Sequence, residues 1–315
     1  MLHLQINVFV EKGLATILGG LGMILLGFAW HTKNSSIEKL APIGWVLTGF
    51  FFFNDTPYYL EAEDLVLTVM SAACLPGAIG IFIWERRATK SVEISALKWF
   101  RGAVFYAGFP YLLIAHVPVL NVLAIWFVAW QSCFMLRLCG LNDVHLGETY
   151  VDTGSSTILW SEWEGNKWFM TETMGEYPFY TELVLGDGGF IGINFILACT
   201  AIQSMIIFVG AIVVLDLNWK KRVRALLISL PIIHILNLFR NAGLIWLHIT
   251  YDNWDFYGLT VFEFGHAYAA RVVSLGAMFL MALVMFELLP AMHKHVMTLM
   301  EPFRLNRNQS TRSHE

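Results

Sequence analysis

Three side chains able to do chemistry lie inside apolar stretches of the C-terminal half of the chain. They are Cys199 in ILACTAIQSM, Arg240 in LNLFRNAGL and Arg271 in HAYAARVVSLG. An arginine at the centre of a membrane helix costs about 2.5–3.5 kcal/mol on insertion scales, so it is retained where it faces a protein interior and does something there. A thiol near two such cations is the equipment of a cysteine nucleophile. Only the thiolate attacks a carbonyl; hydrocarbon disfavours that anion and a fixed positive charge favours it. Arginine keeps its proton, so it supplies charge and forked donors suited to an oxyanion or a carboxylate. The division of labour expected is Cys199 as nucleophile, Arg240 as clamp, and Arg271 as stabiliser of the thiolate or holder of substrate.

The elements that must position these groups are long apolar segments. If each is a helix rising 1.5 Å per residue, the three residues lie roughly 13–15 Å below the outer ends of three consecutive antiparallel spans. His234, Asn237 and Asn241 share a face with Arg240 at its edge, and Gln203 lies one turn beyond Cys199, with Thr200 beside it. On the last span Tyr268, Arg271, Ser274 and Met278 form one face, and Glu263 and His266 another. His266 and Arg271 are five residues apart, about 140° around a helix, so one of them is expected to line the pocket. Arg271 is favoured, with His266, Asn237, Asn241 and Gln203 as alternative or supporting residues.

The composition agrees with a membrane setting. The 315 residues are 57% hydrophobic and only 14% charged, with a mean hydropathy of +0.60, against about 25% charged in soluble domains. The net charge of −4 argues against a nucleic-acid partner. Cys74, Cys133, Cys139 and Cys199 show no external disulfide framework. The run Gly13–Trp30 is read as a retained span, because His31 and Lys33 follow it and no small-residue cleavage site does.

Apolar segments of near-spanning length fall at about 13–30, 40–54, 62–84, 99–116, 119–139, 190–215, 224–249 and 262–290. Basic loops (31–39, 85–98, 216–224 and the tail) alternate with acidic ones (55–64, 141–189, 250–261). The positive-inside rule places the basic set in the cytoplasm. Segment 119–139 breaks the alternation and carries Gln131 and Arg137, so a tilted, re-entrant or interfacial helix is preferred there. That gives seven crossings; full crossing would give eight. The fold class is therefore an all-α polytopic membrane protein of seven or eight transmembrane helices.

Its parts are N-terminal helices over 1–140, an extracytoplasmic acidic loop over 141–189, catalytic helices over 190–290 and a cytoplasmic tail over 291–315. The loop has nine acidic residues against Lys167, and STILWSEWEGNKWFMTETM within it reads as a small β-hairpin about Glu-Gly-Asn. It serves either as ordinary surface over the helices or as a lid over the site. No metal or cofactor is expected.

The blocks LACTAIQSMIIFVGA, ILNLFRNAGL and HAYAARVVSLGAMFLMALVMFELLP, with the N-terminal passages APIGWVLTGFFFF and ERRATKSVEISALKWFRGAVFYAGFPYLLIAHVP, resemble the archaeosortase/exosortase family over nearly the whole chain. The resemblance implies a cell-membrane cysteine transpeptidase with its site facing outward. Its substrates would be secreted or surface proteins, such as S-layer-type glycoproteins. These carry a C-terminal Pro-Gly-Phe-type motif, a transmembrane helix and a basic tail. Cleavage near the motif would form a thioester on Cys199, and a membrane lipid would accept the new C-terminus. Exosortase relatives carry a His in the third block and the archaeosortase branch an Arg; the ARVVSLG stretch is similar to the latter. The rival reading is a transporter that binds an anion through Arg240 and Arg271. It lacks paired inverted repeats in the sequence, and no GxSxG, HExxH or GxGD marks another protease class.

Overall fold

A computed structural model describes residues 2–170, 174–251, 254–256 and 258–303. The tail from 304, Glu172 and Asp252, which enter the charge reading above, lie outside them. The chain is mainly helical, as its apolar segments require when no water is present to satisfy the backbone. Among the described residues five helical stretches are long and apolar enough to cross a membrane: Gly13–His31, Leu65–Arg87, Pro118–Leu138, Trp219–Thr250 and Val261–Leu288.

The N-terminal half comprises α1 (Leu2–His31), α2 (Ser35–Glu38), α3 (Ala41–Phe53), α4 (Thr56–Glu61), α5 (Leu65–Arg87) and α6 (Ser91–His116). Helices α1, α3 and α5 pack side by side, and α1 also packs on α6. A Cβ on Gly22 would lie 2.8 Å from the backbone nitrogen of Thr48, so the α1–α3 contact needs a glycine there. Arg101 of α6, 4% exposed, donates to Glu85 of α5 and, at 3.1 Å, to Glu38 of α2. Trp45 Nε1 of α3 donates to the other Glu85 oxygen at 3.0 Å. A buried charge needs such pairing, and this network ties four elements together.

Helix α7 (Pro118–Leu138) is followed by a four-stranded antiparallel sheet in the order β2-β1-β3-β4, from β1 (Val144–Asp152), β2 (Thr157–Leu159), β3 (Phe179–Leu185) and β4 (Phe190–Phe195). The sheet rests on α7: Val122, Ile125, Val128, Ala129, Cys133 and Leu136 share one core with Val151, Phe179, Leu183 and Ile193. The loop after β2 reaches the far end of the same helix, where the Lys167 carbonyl accepts the Val119 N–H at 3.0 Å.

Two sequence readings are corrected here. The expected hairpin about Glu-Gly-Asn is not formed. Only Thr157–Leu159 is a strand, pairing with β1, because Trp160 and Trp163 turn inward onto Phe179. The apolar segment 190–215 is not one helix. Its first six residues, FIGINF, bury alternate side chains as β4, and a period of two cannot present one face of a helix.

After β4 come a 3-10 turn (Leu197–Thr200), α8 (Ile202–Val213) and α9 (Trp219–Thr250). A two-stranded ribbon, β5 (Asp255–Phe256) and β6 (Leu259–Thr260), leads to α10 (Val261–Phe264). A π-helical turn (Gly265–Ala269) continues into α11 (Ala270–Leu288), and α12 (Pro290–Met300) returns against α6.

Candidate active site

Cys199 sits in the 3-10 turn between an edge strand and a helix, so its depth is set by α8 and not by ten residues of helix above it. At twelve residues α8 is about 18 Å long. It runs antiparallel to α6: Trp99 Nε1 donates to Ala211 O at 3.0 Å at one end, and Gln203 donates to the Tyr111 hydroxyl at the other. Gly210 makes the close approach possible, since a Cβ there would strike the Ala103 carbonyl. The cysteine is thereby held well above the basic end of the helices.

The turn is fixed from three sides. Cys199 N–H donates to Ile196 O at 2.9 Å. Thr200, fully buried, donates through Oγ1 to Leu197 O at 2.7 Å. Asn237 and Asn241 of α9 both donate through Nδ2 to the Cys199 carbonyl, at 2.8 and 2.9 Å. The next residue but one, Ala201, has φ +57° and ψ 9°, a left-handed conformation that costs a non-glycine residue about 1–2 kcal/mol. Such strain persists where the surroundings over-determine the backbone.

Arg240 lies on α9 between the two asparagines in sequence. Its Nε is buried with no hydrogen-bond partner, and no carboxylate pairs with the guanidinium among the described residues. Its charge acts on both the Cys199 thiol and the His266 ring. His266 belongs to the π-helical turn and stacks on Phe262, ring centroids 5.5 Å apart. One-turn π-bulges of this kind recur at functional sites. The turn rotates His266 relative to the α-helix assumed in the 140° argument.

Arg271 is placed otherwise. Its Nη2 donates at 2.7 Å to Oδ2 of Asp64, the residue that caps α5 through its bond to Leu67 N. The Arg271 side chain is 49% exposed and that of Asp64 15%. The guanidinium and then the Leu67 amide hold the Asp64 carboxyl below its usual value. The charge of Arg271 also acts on His266. The structure thus joins Asn237 and Asn241 to Cys199 by hydrogen bonds, with Arg240 in electrostatic range of both Cys199 and His266 and Arg271 in range of His266. Gln203 points to Tyr111, and His234 pairs with Gln131 of α7.

Two partners of these side chains, Asp64 and Tyr111, carry little signal in the sequence. Asp64 belongs by sequence to the acidic loop 55–64, and only its position just before the apolar run marks it as a helix cap. Tyr111 sits inside an apolar run with nothing to distinguish it. Among the described residues no group of His, Cys, Asp and Glu is placed to hold a metal.

Comparison with known proteins bears on the whole assembly. The family model described as Transmembrane exosortase (Exosortase_EpsH) matches residues 14–283. Archaeosortase A of Haloferax volcanii is 33% identical over 238 residues, covering 70% of this chain and 67% of that protein. No solved structure matches.

Proposed function

The chain belongs to the transmembrane exosortase family, and from that premise we propose that it is a multi-pass membrane transpeptidase working through Cys199. It cleaves a C-terminal sorting signal of secreted proteins on the external side and passes the new C-terminus to a membrane lipid. The observation that carries this reading is the Arg240 guanidinium, without a counter-ion among the described residues and in electrostatic range of a cysteine whose carbonyl two asparagines hold. A cation kept without a counter-ion in an apolar setting is a site awaiting an anion. The oxyanion of a tetrahedral intermediate supplies one only while the reaction proceeds, which is the condition for catalysis.

The sequence of events follows from the groups present. The Cys199 thiol gives its proton to His266, the imidazole of this cluster and so its natural proton carrier. The sulfur attacks the scissile carbonyl and Arg240 holds the resulting oxyanion. On collapse the C–N bond breaks, the leaving amine takes the proton from His266, and a thioester remains on Cys199. A lipid hydroxyl or amine then attacks the thioester, its proton passing through His266, and the thiolate is released. Water in its place makes the enzyme a protease. Arg271, anchored on Asp64, keeps positive potential beside His266 and the incoming peptide.

The outward orientation is supported by the charge pattern. The acidic sheet region lies at the Cys199 end of α8 and the basic residues Lys98, Lys220, Lys221, Arg222 and Arg224 at the other. Helix α7, with both ends joined to the sheet region and Trp126 and Trp130 exposed on its other side, then lies in the outer interface. A transporter reading needs two cations free for an anion, and Arg271 is already engaged. The test is co-expression with a secreted reporter bearing a Pro-Gly-Phe motif, a transmembrane helix and a basic tail, with the processed C-terminus measured by mass. A lipid-sized adduct at the motif supports transfer and a bare carboxylate supports hydrolysis; an intact reporter refutes the reading.

A further inference from the structure

At the end of α6 and α8 away from Cys199 the chain encloses a second polar space. A cavity of about 520 Å³ is lined by the end of α1 (Trp30, His31), the start of α6 (Ser95, Lys98, Trp99), the α8–α9 connection (Val213–Asp216), Arg222 of α9 and His295 of α12. None of these residues enters the chemistry at Cys199.

The charge in it is unbalanced. Lys98 and Arg222 are cationic side chains, His31 and His295 add ring nitrogens, and Asp216 is the single carboxylate among the described lining residues. No ion pair joins Asp216 to either cation among the described residues. Arg222 is oriented by its own connection, Nη2 donating to Leu215 O at 2.7 Å, while its Nε is buried without a partner. The walls are also fixed: Trp99 is anchored on Ala211 O, His295 stacks on Trp99 at 5.5 Å, and His31 bonds the Tyr106 hydroxyl at 3.0 Å. A rigid, half-open space with two cations from different helices, neither ion-paired among the described residues, is built for an anion.

We infer that this cavity binds a phosphoryl group, with Lys98 and Arg222 as its charge partners. Its setting among the basic helix ends matches the inner membrane surface, where pockets of this kind take anionic lipid headgroups; a soluble phosphate has the same chemistry. The inference does not depend on the reaction assigned to Cys199.

The test uses the full-length protein. In one arm it is placed in bilayer discs of mixed phosphatidylglycerol and phosphatidylcholine, and retained lipid is counted by native mass spectrometry. In the other, the detergent-solubilised, delipidated protein is titrated with inorganic phosphate at constant chloride and ionic strength, with thermal unfolding as readout. Retained phosphatidylglycerol identifies a lipid headgroup and stabilisation by phosphate a soluble anion. Lys98→Gln should weaken the binding seen by about fivefold, the effect of one cation near an anionic surface. Asp216→Asn should strengthen it, since the only opposing charge is removed. Arg222 also holds the connection, so Lys98 and Asp216 carry the decision. Binding in neither arm, or weaker binding on Asp216→Asn, overturns the inference.

Discussion

Cys199 is held by its backbone and forms no disulfide among the described residues, which suits the nucleophile proposed for it. Cys199→Ala should insert and fold normally yet process no reporter, whereas Cys74→Ala, Cys133→Ala and Cys139→Ala should all retain processing. Activity surviving in Cys199→Ala would end the covalent mechanism. In the proposed mechanism Arg240 works through a planar fork that a point charge does not replace, so Arg240→Lys should lose at least about a hundredfold in kcat, the usual effect of one lost oxyanion donor. The same proposal has Arg271 act through charge on a side chain anchored by Asp64, and Arg271→Lys should lose far less. Equal losses in the two would contradict this division. His266 as proton carrier predicts a histidine-type limb in the pH–rate profile. That limb should vanish in His266→Gln, and its persistence there would move the proton to another group.

At the scale of elements, the turn from β4 to α8 stores strain at Ala201 and spends two asparagine hydrogen bonds on one carbonyl. Asn237→Ala or Asn241→Ala alone should cost about 1 kcal/mol, because the carbonyl keeps one donor. The double variant should cost more than the sum, since a buried acceptor is then orphaned. A thermal-unfolding double-mutant cycle reads this directly, and simple additivity would mean that the two amides do not share the carbonyl. Ala201→Gly should gain about 0.5–1 kcal/mol, the left-handed strain relieved less the entropy of glycine.

Across the whole molecule, Arg271 and Asp64 join residues 207 apart in sequence and connect the last long helix to the N-terminal half. The Asp64 carboxyl lies below its usual value of 3.8, chiefly through Arg271. A depressed carboxylate stabilises the fold fully above its unfolded pKa, and that contribution is lost as pH falls through the folded value. The stability gap between the wild type and Asp64→Asn should therefore be constant from about pH 5 to 8 and close below about pH 4. A gap that changes near neutrality would mean that a histidine, not Asp64, governs the link.

The sequence by itself determined the apolar segments, the alternation of charged loops and the identity of Cys199, Arg240, Asn237 and Asn241 as residues of one neighbourhood. Composition and helical periodicity are local properties, and α9 is a regular helix on which spacing translates directly into a shared face. The tertiary structure decided what local pattern cannot. FIGINF is as apolar as any helix, and it became a strand because β3 offered an edge and α7 a surface for Ile191, Ile193 and Phe195. Ideal helical geometry placed His266 and Arg271 140° apart; a π-turn altered that angle, and a carboxylate from the far end of the sequence took the arginine. The partner of a buried charge is chosen by packing between distant segments, and spacing along one segment carries no record of it.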